Sequence, residues 1–193
     1  ICQVVKQSGK ILHIGTQQRS ENRSMFLKAI VIALSGRLGN TLTATCSIGG
    51  GPGGGPFATS DPPRGLDWDF WLGPLRWRPY NRGYCHGTFR WMMESGGGQI
   101  RDRGAHVMSC AMWWMNADGT GPVEVEATGE APQRGLWDSA VKINVKYTFK
   151  DPDWVLTWNQ PGEPAPPEER TGNEPGGRIS RPGYGAVYRG DKG

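Results

Sequence analysis

A carboxylate, an imidazole and a hydroxyl recur at helical spacing in the middle of the chain. Asp102 and His106 are four residues apart, and Ser109 follows three residues later. Residues at these spacings lie on one face of an α-helix, so the three polar groups should be in line. An imidazole, with an ordinary pKa near 6.5, can take part in proton transfer at neutral pH, and a neighbouring carboxylate can orient the ring. Asp102 and His106 are therefore candidate functional residues; the alternative is a buried capping pair without chemistry.

The element that carries these residues is predicted to be a buried helix. The stretch from Val107 to Trp114 is apolar on nearly all sides, and the glycine run Gly96 to Gly98 precedes it. A helix with no polar stripe is typically buried. Polar groups on such a helix need a structural or functional reason.

Further candidates for ligand contact come from polar and aromatic residues on predicted loops and strand ends. The segment 66–80 is rich in aromatic residues among prolines, which either fill a core from the side or line a pocket for a flat or sugar-like ligand. Contact by loop residues and simple packing remain open for all of these positions. The candidates are Gln18, Arg19, Trp71, Arg90, Trp91 and Ser109.

No metal site is predicted. The four cysteines are far apart and form no Cys-x-x-Cys pair, so free, mostly buried thiols are expected rather than a zinc or redox motif. His86 could join Asp102 and His106, but no spacing enforces such a set. The cysteines are Cys2, Cys46, Cys85 and Cys110.

Composition excludes two classes of partner. The longest apolar run, from Phe26 to Leu34, is too short for a membrane span and contains Lys28. The formal charge of +4 comes from scattered basic residues without a dense Lys/Arg block, so no nucleic acid partner is expected. Nine tryptophans show that the chain can build a core, although 30 glycines and 15 prolines predict much loop.

The elements around the candidate residues predict an α+β fold. A short apolar run at 10–15 predicts a buried strand that contains His13, and helical spacing follows from Met25 to Leu34. Strands are predicted over 38–48, 123–128 and 140–150, followed by a turn and a shorter strand within 151–159, and a last strand over 186–188. The clearest alternation is at 140–150, where an antiparallel partner would set Glu124 and Glu126 opposite lysines. The Pro-, Gly- and Glu-rich stretch 161–182 predicts a linker or surface excursion.

Six motifs in order and spacing resemble the Gfo/Idh/MocA oxidoreductases, the glucose-fructose oxidoreductase and inositol dehydrogenase family. They are Gly15–Ser20, Ser35–Gly39, Gly65–Pro74, Phe89–Trp91, Gly97-Gly98 with Asp102-x-Gly104-Ala105-His106, and Tyr188–Gly193. The resemblance implies an open, mostly antiparallel β-sheet with helices packed on one face, preceded by a remnant of the last strand of a Rossmann domain. It divides the chain into a nucleotide-domain remnant at 1–20, a substrate and oligomerisation domain at 21–160, and the excursion with a final strand at 161–193.

In that family NAD or NADP is bound by the N-terminal Rossmann domain, and the second domain binds a sugar or polyol. Here the glycine run 50–55 is followed neither by Lys-Ser/Thr nor by a helical pattern, so we expect this chain, as a fragment, to bind no cofactor and to be incompetent for hydride transfer alone. The family's Glu-Lys-Pro motif has no counterpart. The resemblance assigns catalysis to His106 and Asp102, and it places Ser109 where relatives often carry a second aspartate.

Two other functions stay open beside a substrate-side dehydrogenase domain. Relatives that cleave glycosidic bonds suggest a hydrolase using Asp102, His106 or Glu94, although ordinary acid–base hydrolysis needs two suitably spaced carboxylates. A carbohydrate-binding or assembly module would use the exposed sheet face to form a homo-oligomer, as the resemblance implies. No secretion leader opens the chain, which favours the cytoplasm, but a sequence that starts at Ile1 would keep no trace of a lost leader.

Overall fold

The computed structural model describes residues 1–15, 17–20, 25–162 and 184–192. A five-stranded sheet forms its centre, with the order β2-β3-β4-β1-β5. The β1–β4 pairing is parallel, and the other three pairings are antiparallel. This confirms the predicted open, mostly antiparallel sheet. The strands are β1 (Thr41–Ser47), β2 (Glu124–Glu130), β3 (Lys142–Lys150), β4 (Asp153–Gln160) and β5 (Gly185–Gly190).

The helices of the described residues either precede β1 or lie between β1 and β2 in the chain, and those predicted at 25–34 and 107–114 are confirmed. Two 3-10 helices, Gln17–Arg19 and Gly87–Trp91, carry four of the candidate residues, Gln18, Arg19, Arg90 and Trp91. The α-helices are α1 (Cys2–Ser8), α2 (Met25–Leu34), α3 (Trp68–Leu72), α4 (Gly98–Asp102) and α5 (Gly104–Trp114).

Alternation along β3 decides which face of the sheet is buried. Val145 and Phe149 are buried, whereas Lys146 and Lys150 on the other face are exposed. The antiparallel partner β2 sets Glu126 opposite Lys146, as predicted, but sets Glu124 opposite Thr148 rather than a lysine. Period-two patterning thus fixed the face, and the register fixed the pairs.

One hydrophobic core joins α2 and α5 to the buried face of the sheet. Ile30 of α2 and Val107 of α5 belong to the same cluster as Cys46 of β1 and Trp158 of β4, all of them at most 1% exposed. Burying such side chains is the main favourable term for the fold, at about 25 cal/mol per Å² of apolar surface. The core therefore holds α5, and with it His106, against the sheet.

The strand predicted at 10–15 is not formed. This segment has no regular structure, and Ile11 and Ile14 are 97% and 73% exposed. An apolar run becomes a strand only when a partner strand satisfies its backbone groups, and none lies beside it among the described residues. His13, predicted to lie within a strand, therefore lies in an exposed segment. The helix α1 precedes this segment.

The predicted excursion at 161–182 lies outside the described residues beyond residue 162, while the last predicted strand is confirmed as β5. Within the described part of the chain, no helix combines the length and apolar character needed to cross a bilayer.

Candidate functional site

The helix predicted to carry Asp102 and His106 is in fact two helices. Asp102 is the last residue of α4, Arg103 forms the junction, and α5 begins at Gly104. A Cβ at Gly104 would lie 2.9 Å from the Met108 side chain and 3.3 Å from Trp158, so a glycine lets the start of α5 pack closely on the sheet. The prediction of one continuous helix is therefore wrong, although the junction residue Arg103 keeps a right-handed helical backbone (φ −88°, ψ −34°).

Asp102 lines a cleft with a volume of about 450 Å³. That volume lies within the range of small-molecule binding sites. Its walls come from the loop after β1, from the 3-10 helix 87–91 and from the α4–α5 junction. The lining residues are Gly50, Pro52, Arg90, Trp91, Gln99, Asp102 and Arg103.

Two arginines share the Asp102 carboxylate. Arg90 Nε donates to Oδ1 over 2.8 Å, and Arg103 Nε lies 3.4 Å from Oδ2. The Asp102 side chain is 19% exposed, so these ion pairs are only partly screened by water. The carboxylate thereby orients both guanidinium groups at the cleft wall.

Arg90 is held from two further directions. Its Nη1 donates to the carbonyl of Gly87 over 3.1 Å, and its guanidinium carbon lies 4.8 Å from the centre of the Phe89 ring. Such fixing of a long side chain lowers the entropy lost when a ligand binds to it.

Glycines bring the walls together. Gly97 and Gly98 have φ values of 71° and 77°, in the left-handed region that favours glycine. A Cβ on Gly98 would lie 2.8 Å from the Ser139 Cβ, so α4 starts directly against the segment before β3. The same segment fixes Trp91, whose carbonyl accepts from the backbone N–H groups of Asp138 and Ser139 at 3.1 and 3.0 Å.

His106 lies in the first turn of α5 but is not among the residues that line the cleft. Its side chain is partly buried, and its Nδ1 has no hydrogen-bond partner among the described residues. Ser109 donates its hydroxyl to the carbonyl of His106 over 2.8 Å, which uses the hydroxyl within the helix. Asp102 therefore lines the cavity, whereas His106 and Ser109 lie behind its wall.

Gln18 and Arg19 join the first 3-10 helix to α5. Arg19 donates to both carboxylate oxygens of Asp118, at 2.8 and 2.7 Å, and to the carbonyl of Ser109 at 2.8 Å. The hydrogen bond to Asp118 raises the pKa of Arg19. Gln18 is 8% exposed. Neither residue lines the cleft, and these contacts give Arg19 a structural role.

Trp71 also lies outside the cleft lining. Its ring stacks on Trp68 with centroids 4.9 Å apart, and Trp68 meets Tyr80 edge-on at 5.1 Å. Trp68 in turn donates its indole N–H to the carbonyl of Arg78 over 2.7 Å. The aromatic segment 66–80 thus builds its own packed cluster, and Trp91 is the candidate tryptophan that lines the cavity.

Sequence reasoning missed Gln99, Arg103, Gly50 and Pro52 as lining residues. Gln99 and Arg103 flank Asp102 at spacings of three and one, which a helix-face argument centred on His106 did not select. The loop residues come from a segment about 40 residues away in sequence. No group of three potential metal ligands exists among the described residues.

A comparison with protein families now identifies the class of the chain. Residues 53–163 match the model of an oxidoreductase family, described as its C-terminal alpha/beta domain and named for Gfo/Idh/MocA proteins. The chain belongs to this family. No curated protein matches it.

Solved structures with the same fold include three oxidoreductases. A putative NADPH-dependent oxidoreductase from Desulfitobacterium hafniense is 12% identical, with a TM-score of 0.56 over 98% of this chain and 40% of that one. Aldose-aldose oxidoreductase from Caulobacter crescentus, complexed with glycerol, is 18% identical, with a TM-score of 0.51 over 84% and 39%. The WlbA dehydrogenase from Bordetella pertussis, in complex with NADH and UDP-GlcNAcA, is 12% identical, with a TM-score of 0.50 over 82% and 37%. The chain thus spans about two fifths of the length of these relatives.

The glycines after β1 do not form a dinucleotide cradle. A Cβ on Gly54 would lie 2.3 Å from the Trp137 ring, and one on Gly55 would lie 2.7 Å from the Leu136 backbone nitrogen. The space beside these glycines is thus occupied by Trp137 and Leu136. The next helix among the described residues begins at Trp68. A cofactor phosphate needs a free glycine loop at a helix N-terminus, so this loop does not fit the phosphates of NAD or NADP.

Proposed function

We propose that the chain is the substrate-binding side of an NAD(P)-dependent oxidoreductase and that its ligand is a sugar or polyol held in the Asp102 cleft. The family is that of an oxidoreductase C-terminal domain, and related solved structures contain glycerol, NADH or a nucleotide sugar. The observation that carries the proposal is the cleft of about 450 Å³ with Asp102 at its wall, where the family motif would place a catalytic carboxylate.

The cleft offers the chemistry that a polyhydroxylated ligand needs. Arg90 and Arg103 can donate to sugar oxygens, and Asp102 can accept from hydroxyl groups. The Trp91 ring can pack against the C–H face of a pyranose. The lining thus combines four polar side chains with one aromatic ring.

The proposal assigns the roles within the reaction as the family motif does. Asp102 orients a substrate hydroxyl at the cleft wall, and His106, whose side chain does not line the cleft, accepts the hydroxyl proton after a movement of its ring toward the cavity. The Nδ1 atom of His106 is buried and has no hydrogen-bond partner among the described residues. This atom therefore remains free to accept or donate a proton, which supports the assignment. Oxidation of an alcohol also needs a hydride acceptor, and because the glycine loop after β1 offers no phosphate cradle, we expect no reduction of NAD⁺ or NADP⁺ by this chain alone.

No observation favours the hydrolase alternative. The described lining of the cleft contains one carboxylate, that of Asp102, whereas retaining and inverting glycosidases use two carboxylates. Glu94 is paired with both Nη atoms of Arg78, which holds the pKa of Glu94 below its usual value. A carboxylate with a lowered pKa is a poor general acid at neutral pH.

The exposed face of the sheet is the proposed site of self-association. It is polar, and a shallow groove there runs between Glu126, Lys146 and Thr157. Cross-strand ion pairs, Lys146 with Glu126 and Lys142 with Glu130, already satisfy part of its charge. Light scattering at two protein concentrations tests this part, and a strict monomer at both would contradict it.

Ligand titration with the chain itself tests the main proposal. We expect D-glucose, D-glucuronate or myo-inositol to shift the amide resonances of Gly50, Gln99 and Arg103 in a two-dimensional NMR spectrum. Trp91→Ala should weaken binding about tenfold by removing the ring at the cleft wall. Trp77→Ala, a change of the same kind at a 64% exposed residue outside the lining, should leave it unchanged.

Absence of binding by every carbohydrate tested would contradict the proposal. So would shifts confined to residues outside the cleft. Far-UV circular dichroism of both tryptophan variants establishes that they are folded before their affinities are compared.

A further inference from the structure

The charges of the cleft are unequal. Its lining holds two guanidinium groups, from Arg90 and Arg103, and one carboxylate, from Asp102. The other lining side chains are uncharged at neutral pH. An anion entering the cleft therefore meets an excess positive charge, in a wall that is only partly solvated.

Hydrogen bonding leaves donors of both arginines free. Asp102 accepts a hydrogen bond from Nε of Arg90 and forms an ion pair with Nε of Arg103 at 3.4 Å, and the carbonyl of Gly87 accepts from Nη1 of Arg90. Within the described part of the chain, Nη2 of Arg90 and both Nη groups of Arg103 have no protein acceptor. The two Nη groups of a guanidinium form a planar fork that matches a carboxylate.

Asp102 does more than neutralise these groups. Because Arg90 donates its Nε to Asp102 and the Nε of Arg103 lies within ion-pair distance of the same carboxylate, Asp102 holds both guanidinium groups beside the cleft while leaving their outer edges available. A preorganised fork binds a carboxylate without the loss of side-chain entropy that a free arginine would suffer.

From this arrangement we propose that the preferred ligand is a sugar acid, whose carboxylate is bound by the fork of Arg103 with support from Nη2 of Arg90. The proposal rests on the proposed function, because it assigns a substrate class to the same cleft. The ring hydroxyls of the sugar acid remain for Asp102 and Gln99. Neutral sugars fit the same volume but leave the arginine fork unpaired.

The matched ligands D-glucuronate and D-glucose test this assignment, since they differ only at C6, a carboxylate in one and a hydroxymethyl group in the other. In isothermal titration calorimetry at low ionic strength, glucuronate should bind at least about tenfold more tightly, the effect of one charge-assisted pair. Acetate serves as the anion without a sugar ring and should bind far more weakly than glucuronate.

Variants locate the preference. Arg103→Gln should reduce the glucuronate-to-glucose affinity ratio to less than about threefold, because the fork is lost. Arg101→Gln removes the same charge from an exposed residue of α4 outside the lining and should preserve the ratio. Should Arg103→Gln fail to fold, Arg103→Lys tests the same point: it keeps the charge but not the fork, and the ratio should fall to an intermediate value.

The outcomes separate the two proposals. Equal binding of glucose and glucuronate overturns the sugar-acid assignment and leaves the carbohydrate cleft standing. Binding of neither sugar overturns both. Acetate binding as tightly as glucuronate, or an unchanged ratio in both Arg103 variants, identifies an unspecific anion site and overturns the assignment.

Discussion

Asp102 and His106 show how strongly one residue's surroundings alter its chemistry. Asp102 is bound by two arginines and faces a cavity, whereas His106, four positions on, lies in a different helix and does not line that cavity. Spacing along the chain predicted a single helix for both residues, whereas the structure divides it at Arg103. The proton-transfer role of His106 therefore stays a prediction that depends on movement of its ring.

Gly98, at the start of α4, has no room for an added methyl group. Gly98→Ala should lower the free energy of unfolding by about 2 kcal/mol, because φ is 77° and the new Cβ would lie 2.8 Å from the Ser139 Cβ. Urea unfolding measures this change. Gly119→Ala, where no atom lies within 4 Å, is the control and should alter stability by less than about 0.5 kcal/mol. Equal effects at both positions would show that α4 is not constrained as described.

At the scale of elements, a short helix is held by residues distant in sequence. The 3-10 helix 17–19 is connected to α5 through Arg19, whose partner Asp118 is 99 positions away, and the Arg19 guanidinium carbon lies 5.3 Å from the centre of the Trp113 ring. A three-residue helix has too few internal hydrogen bonds to persist alone. Its order must come from this tertiary contact.

Arg19→Ala should therefore release the 3-10 helix more than it destabilises the fold. We expect a global loss of about 1 kcal/mol, since Asp118 is 48% exposed and water screens the pair. Hydrogen–deuterium exchange should accelerate at residues 17–19, with little change in β3 and β4. Arg37→Ala, at an exposed arginine after α2, should leave exchange at 17–19 unaltered; acceleration in both variants would argue against a specific clamp.

At the scale of the whole molecule, the core contains thiol and phenol groups that burial keeps in their neutral, protonated form. Cys46 is fully buried, and burial raises its pKa strongly; burial also raises the pKa of Cys110 and Tyr188. In the unfolded chain a thiol loses its proton near pH 8.5 to 9, while the folded chain keeps it. The unfolded state then binds fewer protons than the folded one, so stability falls as pH rises.

We accordingly expect the free energy of unfolding to decrease from pH 7.5 to pH 10. Cys46→Ala should make that decrease smaller, whatever it does to stability at pH 7.5, because one group that titrates only on unfolding is gone. Cys2→Ala, at an exposed cysteine, should leave the slope unchanged. Urea unfolding across this pH range gives the slopes, and identical slopes for the wild type and Cys46→Ala would refute the assignment.

Local patterns in the sequence determined most of the regular elements. Alternation predicted β2 and β3, helical spacing predicted α2, and an all-apolar run predicted α5. The six motifs predicted the family that the comparison confirmed. These features are visible in sequence because each depends on residues within one or two turns or one strand pair.

Tertiary structure alone decided the parallel pairing of β1 with β4, the absence of a strand at 10–15 and the membership of the cleft. Thr45 of β1 and Thr157 of β4 lie 112 positions apart, yet their hydroxyl oxygens are 3.2 Å from each other. Which distant segments meet depends on how the whole chain buries its apolar surface, a property that no local spacing encodes. For the same reason Arg90 and Trp91 reached the cleft, whereas Gln18, Arg19 and Trp71 became part of the packing around it.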